Sequence, residues 1–158
     1  MTGDQRALGA WAKLIDVARM MRREFDQGFR NFGISYVEFK ILSLLESRGP
    51  MTMVNIADEL IMTKAGVTLL TDRLEGRKLV ARARKEGDRR LIYVATTANG
   101  RELFKRANAH YLSMVGSKFD VLNDEDITQL IEIMKKMNAA VKTEGSPAAV
   151  TVAASKAH

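Results

Sequence analysis

The sequence has no cysteine and only two histidines, His110 and His158. The absence of cysteine excludes disulfides, cysteine-ligated zinc, thiol nucleophiles and thiol-based redox sensing. Two histidines supply a zinc site poorly, and the sequence contains no glycine-rich phosphate loop or recognisable nucleophile and base set. The chain is therefore expected not to be an enzyme and to need no metal or cofactor.

Long apolar runs are also missing from the 158 residues. No stretch approaches the ~20 apolar residues that a membrane helix requires, and residues 1–10 lack the charged and then apolar pattern of a secretion signal. The sequence therefore predicts a cytoplasmic protein without a membrane partner. Its length suits one domain with a sizeable core, and its 46% hydrophobic and 28% charged residues are typical of folded proteins.

Positive charge is concentrated in one short part of the chain. The sequence carries 25 basic and 19 acidic residues, a net charge of +6. Residues 1–62 contribute no net charge and residues 98–158 contribute +1, so residues 63–97 carry +5. Such an excess is typical of a surface that binds a polyanion, and an ordinary solvated face is the alternative on charge alone. Its basic residues are Lys64, Arg73, Arg77, Lys78, Arg82, Arg84, Lys85, Arg89 and Arg90.

The first half of the chain is predicted to be helical. Apolar residues recur every three or four positions across 8–32, which predicts one long amphipathic helix. A capping box at Ser35 and Glu38 starts a second helix. Thr52 and Thr63 then cap two short helices joined by a tight turn, which is typical of a helix-turn-helix whose second helix enters the major groove. The buried stripe of that second short helix is predicted to be Val67, Leu70 and Leu74.

The second half is predicted to add a β-hairpin and two helices. Extended runs at 79–83 and 91–96 flank a charged tip, residues 85–90. Thr97 and Asn123 are placed to cap the fifth and sixth helices. Three acidic residues after Asn123 fall in a first helical turn, where negative charge interacts favourably with the helix dipole. This position indicates a role in helix stability and not an acid–base site. Residues 144–158 are predicted to be a flexible tail, to which we assign no function.

The order of two helices, a helix-turn-helix, a basic hairpin and two further helices resembles the MarR family of dimeric winged-helix transcriptional regulators. The resemblance covers about residues 8–141 and implies a fold that is mainly α with a small β-wing. It implies a winged helix-turn-helix DNA-binding lobe over 35–97 and helical dimerisation regions over 5–32 and 98–143. It rests on the joint order of Thr63-Lys64, Val67-Thr68, Asp72-Arg73-Leu74-Glu75, Lys78-Leu79-Val80, Gly87-Asp88-Arg89-Arg90, Thr97 and Gly100-Arg101-Glu102-Leu103.

The resemblance also implies a function and a set of DNA-binding residues. The protein would be a homodimer that binds a pseudo-palindromic site on double-stranded DNA and regulates transcription as a repressor. Asp88 would hold the hairpin or a neighbouring arginine, and Arg89 or Arg90 would reach the minor groove, the choice between these two staying open. Residues expected to approach the major groove are Thr63, Lys64, Ala65, Gly66, Thr68 and Leu69. Those suited to phosphates are Arg73, Arg77, Lys78, Arg84 and Lys85.

Two positions depart from the family pattern. Leu69 stands where the family often has a polar or basic side chain, and Gly66 stands where it often has a hydroxyl residue. The recognition helix is therefore expected to make fewer hydrogen bonds to base edges, and the wing and the shape of the DNA are expected to supply more of the specificity.

The terminal helices carry wider apolar faces than one winged lobe needs to bury. The first helix bears four aromatic residues, Trp11, Phe25, Phe29 and Phe32, which predict a partner helix from a second copy, and packing within the protomer is the alternative. Members of the family often bind small phenolic or other anionic effectors between the dimerisation helices and the DNA-binding lobe. Candidates for such a pocket are Trp11, Tyr36, His110 and Tyr111, and an ordinary core role is the more frequent alternative for each.

One other function class fits a winged helix. Such a domain can act as a protein–protein interaction module that does not bind DNA. A module of this kind has no need to concentrate nearly all of its excess positive charge at one helix and hairpin, so charge favours the DNA-binding interpretation.

Overall fold

The computed structural model describes the backbone of residues 3–85 and 88–144 and the side chains of residues 3–84 and 91–141. This part of the chain is mainly helical with one small sheet, so the predicted fold class is confirmed. The elements are α1 (Gly3–Phe29), a 3₁₀-helix (Arg30–Phe32), α2 (Tyr36–Arg48), β1 (Met51–Thr52), α3 (Met53–Leu60), α4 (Lys64–Gly76), β2 (Val80–Lys85), β3 (Asp88–Thr96), α5 (Ala98–Phe119) and α6 (Asp124–Glu144).

Side-chain caps start the helices where the sequence predicts them. The Ser35 hydroxyl accepts a hydrogen bond from the Glu38 amide at 3.2 Å, and the Glu38 carboxylate accepts one from the Ser35 amide at 2.7 Å. This capping box satisfies two amides that the first turn of α2 would otherwise leave unpaired. Four further residues accept from the amide three positions on: Thr52, Thr63, Thr97 and Asn123.

The structure corrects three predicted boundaries. The first helix ends at Phe29, and a 3₁₀ turn follows that closes at Gly33, where φ is 68°. The hairpin strands are longer than predicted, and their backbone includes residues 85 and 88–90, which were expected to form the charged tip. Strands pair through backbone hydrogen bonds, so charged side chains do not prevent these residues from joining the sheet. The sheet also has a third strand, β1, which pairs antiparallel with β3 through Met51 and Val94. A strand of two residues is too short to show the alternation of apolar and polar side chains by which a strand is recognised in a sequence.

The buried core lies under the helix-turn-helix and the sheet. In α4 the fully buried positions are Val67, Thr71 and Leu74, whereas Leu70 is only half-buried. The predicted stripe is thus wrong at one place, because Thr71 points inward in the turn where Leu70 was expected. Other side chains that are fully buried include Phe29, Phe39, Ile41, Leu42, Ile56, Val80 and Val94.

Gly100 lets α5 approach the start of the wing closely. A Cβ atom at this position would lie 1.9 Å from the backbone carbonyl oxygen of Leu79. The same carbonyl accepts hydrogen bonds from the backbone amide of Thr97 at 3.0 Å and from its hydroxyl at 3.2 Å. Only a glycine fits, so α5 leaves the sheet along one defined path.

The chain divides into two compact units, one up to Met114 and one from Val115. The first unit holds α1 to α4, the sheet and most of α5. In the second unit, the described side chains of α6 from Ile131 to Val141 are all exposed in the single chain. None of the helices in the described part is long and apolar enough to cross a membrane.

Candidate nucleic-acid interface

A tight turn joins α3 to α4. Ile61 ends α3 in a left-handed conformation with φ of 52°, and the Met62 amide donates to the Ala57 carbonyl at 2.9 Å. The Thr63 hydroxyl then accepts from the Gly66 amide at 3.1 Å and starts α4. The structure therefore has the predicted helix-turn-helix geometry, with α4 as the recognition helix.

The two sides of α4 differ sharply in burial. Val67, Thr71 and Leu74 face the core, and the side chains at the start of the opposite face are accessible. Leu69 lies two residues after Val67, about 200° away around the helix at 3.6 residues per turn, and its residue is 54% exposed. A helix that presents its N-terminal half this way can enter a major groove. The other exposed residues of this half are Thr63, Lys64 and Ala65, and Gly66 and Thr68 are half-buried.

An arginine clamp fixes the wing to the recognition helix. Arg82 on β2 contacts the carboxylates of Asp72 at 2.5 Å and Glu75 at 2.5 Å, and its backbone amide donates to Glu75 at 3.3 Å. We call these three residues the Arg82 clamp. Sequence reasoning missed this role, although two acidic residues three positions apart on a basic recognition helix are a signal that could have indicated it.

The structure gives Arg77 a role within the fold that the sequence did not predict. Its guanidinium donates hydrogen bonds to the backbone carbonyls of Gly33 and Phe32, the latter at 3.3 Å. Arg77 therefore closes the carboxyl end of the 3₁₀-helix and joins the end of α4 to the end of the first helical segment. The guanidinium has five N–H donors and the residue is exposed, so the phosphate contact of Arg77 stays a prediction.

The remaining predicted phosphate contacts divide into two groups. Arg73, Lys78 and Arg84 are exposed. Arg84 follows Arg82 by two residues on β2, so the strand period places it on the same face, and Ile92 is its partner on β3. The side chains of the other predicted wing residues lie outside the described part of the chain: Lys85, Asp88, Arg89 and Arg90.

Comparison with known proteins supports the same family. A sequence model of the MarR family matches residues 34–92, which include α2, the helix-turn-helix and most of the hairpin. Over these residues the chain is similar to the MarR family. The resemblance stated from the sequence is thereby confirmed.

Individual known proteins resemble this chain along most of its length. The transcriptional repressor MdtR of Bacillus subtilis is 28% identical over 112 residues, which are 71% of this chain and 72% of MdtR. The crystal structure of AbsC, a MarR-family regulator from Streptomyces coelicolor, matches with a TM-score of 0.80 and 25% identity over 90% of this chain and 97% of AbsC. The S. aureus MepR–DNA complex shares the fold, with a TM-score of 0.76 and 23% identity over 82% and 96% of the two chains.

An aromatic cluster in the first unit contains three of the four predicted effector-pocket residues. Tyr36 stacks on Phe25 at 5.0 Å between ring centroids, and Tyr111 lies 6.1 Å from Tyr36. Burial, together with a hydrogen bond to Tyr111, raises the pKa of Tyr36 to about 12. The buried Nε2 atom of His110 has no hydrogen-bond partner among the described residues. Trp11 is 57% exposed on α1 and contacts no ring in the described part of the chain, so the structure does not bring it to this cluster.

Proposed function

We propose that the protein is a homodimeric transcriptional repressor that binds a pseudo-palindromic site on double-stranded DNA. The observation that carries this proposal is the recognition helix α4, whose outward N-terminal half is exposed while the Arg82 clamp holds the wing beside it. The repressor assignment is supported by the name of MdtR, and DNA binding is supported by the MepR complex, which shares the fold. The residues over 35–97 would form the DNA-binding lobe.

The terminal helices would form the dimer. The regions 5–32 and 98–143 carry exposed apolar side chains that one chain leaves uncovered, including Leu8 and Trp11 on α1 and Val141 on α6. A two-fold dimer would place two recognition helices one turn of DNA apart, about 34 Å, and so demand a pseudo-palindromic site.

Phosphate contacts provide the test of DNA binding. Selection from random duplexes would supply the binding site, and binding would then be titrated against salt. We expect a log–log slope of about −5 or steeper for a dimer that uses six or more phosphates. The double variant Arg73→Ala/Arg84→Ala should make the slope shallower by up to about 4, because a dimer would lose four phosphate contacts.

A matched variant controls for net charge. Lys105 and Arg106 are exposed on α5, away from the helix-turn-helix in the chain. Lys105→Ala/Arg106→Ala removes the same charge and should leave the slope near that of the wild type. A flat slope for the wild type, or equal effects of the two double variants, would contradict the proposal and favour an interaction module.

A small aromatic or anionic effector would release the repressor from DNA. The support is the cluster of Tyr36, Tyr111 and His110, which combines apolar rings with phenolic and imidazole groups. A panel of aromatic acids should include compounds that weaken DNA binding of the wild type. Tyr36→Phe should shift the effective concentration of such a compound without changing DNA affinity in its absence. No response to any member of the panel would count against this part of the proposal.

A further inference from the structure

The centre of the outward face of α4 is apolar. Leu69 lies opposite the buried residues Val67 and Thr71, and Ala65, one turn earlier, is also exposed. Leu69 is 54% exposed on this face, so its side chain is accessible to a ligand of the recognition helix.

Nearby polar side chains of this helix already have partners within the protein. The Thr63 hydroxyl accepts from the Gly66 amide at 3.1 Å, and the Thr68 hydroxyl donates to the Lys64 carbonyl at 2.8 Å. A hydroxyl that has donated its one proton can only accept. The Asp72 carboxylate is held by Arg82 in the clamp.

At its own position on this face, Leu69 has no hydrogen-bonding group and can offer a base only apolar contact. In the major groove of unmodified DNA, the C5-methyl group of thymine is the base feature that an apolar side chain recognises. We infer that Leu69 is a specificity-determining residue that packs on a thymine methyl group in each half-site. This inference rests on the proposed DNA-binding function and names the base that one residue selects.

Replacement of thymine by deoxyuridine tests the inference, because it removes only the methyl group. Each thymine of the selected site would be replaced in turn, symmetrically in both half-sites, and binding measured at one salt concentration. At one symmetric position the wild type should lose about fourfold per half-site, or about fifteenfold for both, the value of one buried methyl group at each. Leu69→Ala should bind the two duplexes with equal affinity at that position.

Val54→Ala is the matched control. Val54 is an apolar side chain, 49% exposed, on α3 of the same helix-turn-helix. This variant should keep the wild-type dependence on thymine at every position. Thermal unfolding should show that Leu69→Ala is as stable as the wild type, since an exposed side chain contributes little to folding.

The possible failures can be told apart. If the wild type tolerates deoxyuridine everywhere, or if Leu69→Ala keeps the same thymine dependence, the role of Leu69 is overturned while sequence-specific binding still supports the proposed function. If the protein selects no duplex at all, the proposed function and this inference both fall.

Discussion

At the scale of single residues, Gly100 makes the sharpest stability prediction. Gly100→Ala would force a Cβ atom against the backbone carbonyl of Leu79, 1.9 Å away, so the free energy of unfolding should fall by about 3 kcal/mol. Gly116→Ala in the same helix has no described atom within 4 Å of its new Cβ. It should raise the free energy of unfolding by about 0.5 to 1 kcal/mol, because alanine favours a helix more than glycine does. Urea denaturation at one protein concentration measures both. Changes of the same sign would contradict the packing at Gly100.

Tyr36 makes a prediction about pH. Because burial raises its pKa to about 12 from the ordinary 10.0, the neutral phenol is favoured in the folded state. Its contribution to stability is complete below pH 10 and is lost as pH rises toward 12. An ultraviolet titration of the folded protein should show a late tyrosinate component that Tyr36→Phe removes and Tyr93→Phe keeps. A titration without a late component would contradict the buried environment of Tyr36.

At the scale of elements, the Arg82 clamp predicts that affinity and salt dependence can be separated. Arg82→Met keeps the length of the side chain but releases Asp72 and Glu75, so the wing should lose its fixed position against α4. We expect weaker DNA binding with an unchanged salt slope, since Arg82 already has carboxylate partners in the free protein.

Arg84→Met is the comparison within the same strand. It should weaken binding and also make the salt slope shallower by about 2, for two phosphates in a dimer. If Arg82→Met changes the slope by as much, Arg82 leaves its carboxylates to contact DNA, and the clamp does not persist in the complex.

Much of the element order could be predicted from the sequence, because its signals are local. A cap at Ser35 or Thr97 depends on residues within one turn of the chain, and each was confirmed. The strand β1 was missed because its pairing partner is about forty residues away and two residues carry no pattern. The role of Arg77 was missed for the same reason, since its acceptor Gly33 lies 44 residues earlier.

At the scale of the whole molecule, the exposed face of α6 predicts dimerisation. Met134 and Val141 lie seven residues apart on one side of the helix and are exposed in the single chain. Met134→Glu/Val141→Glu should convert a dimer to a monomer in sedimentation equilibrium, because the new carboxylates would be buried without partners. Lys136→Glu, on the opposite side of the helix, should leave the dimer intact. A wild type that sediments as a monomer would contradict the homodimer.

The sequence by itself determined the resemblance to the MarR family, the mainly helical class, the helix starts and the concentration of positive charge over residues 63–97, because periodicity, caps and composition are properties of neighbouring residues. Only the tertiary structure decided which of the described charges have partners within the fold. It ties Arg82 and Arg77 to acceptors elsewhere in the fold and leaves Leu69 exposed. The physical reason is that hydrogen-bond partners and burial depend on contacts between distant parts of the chain, which no local pattern records.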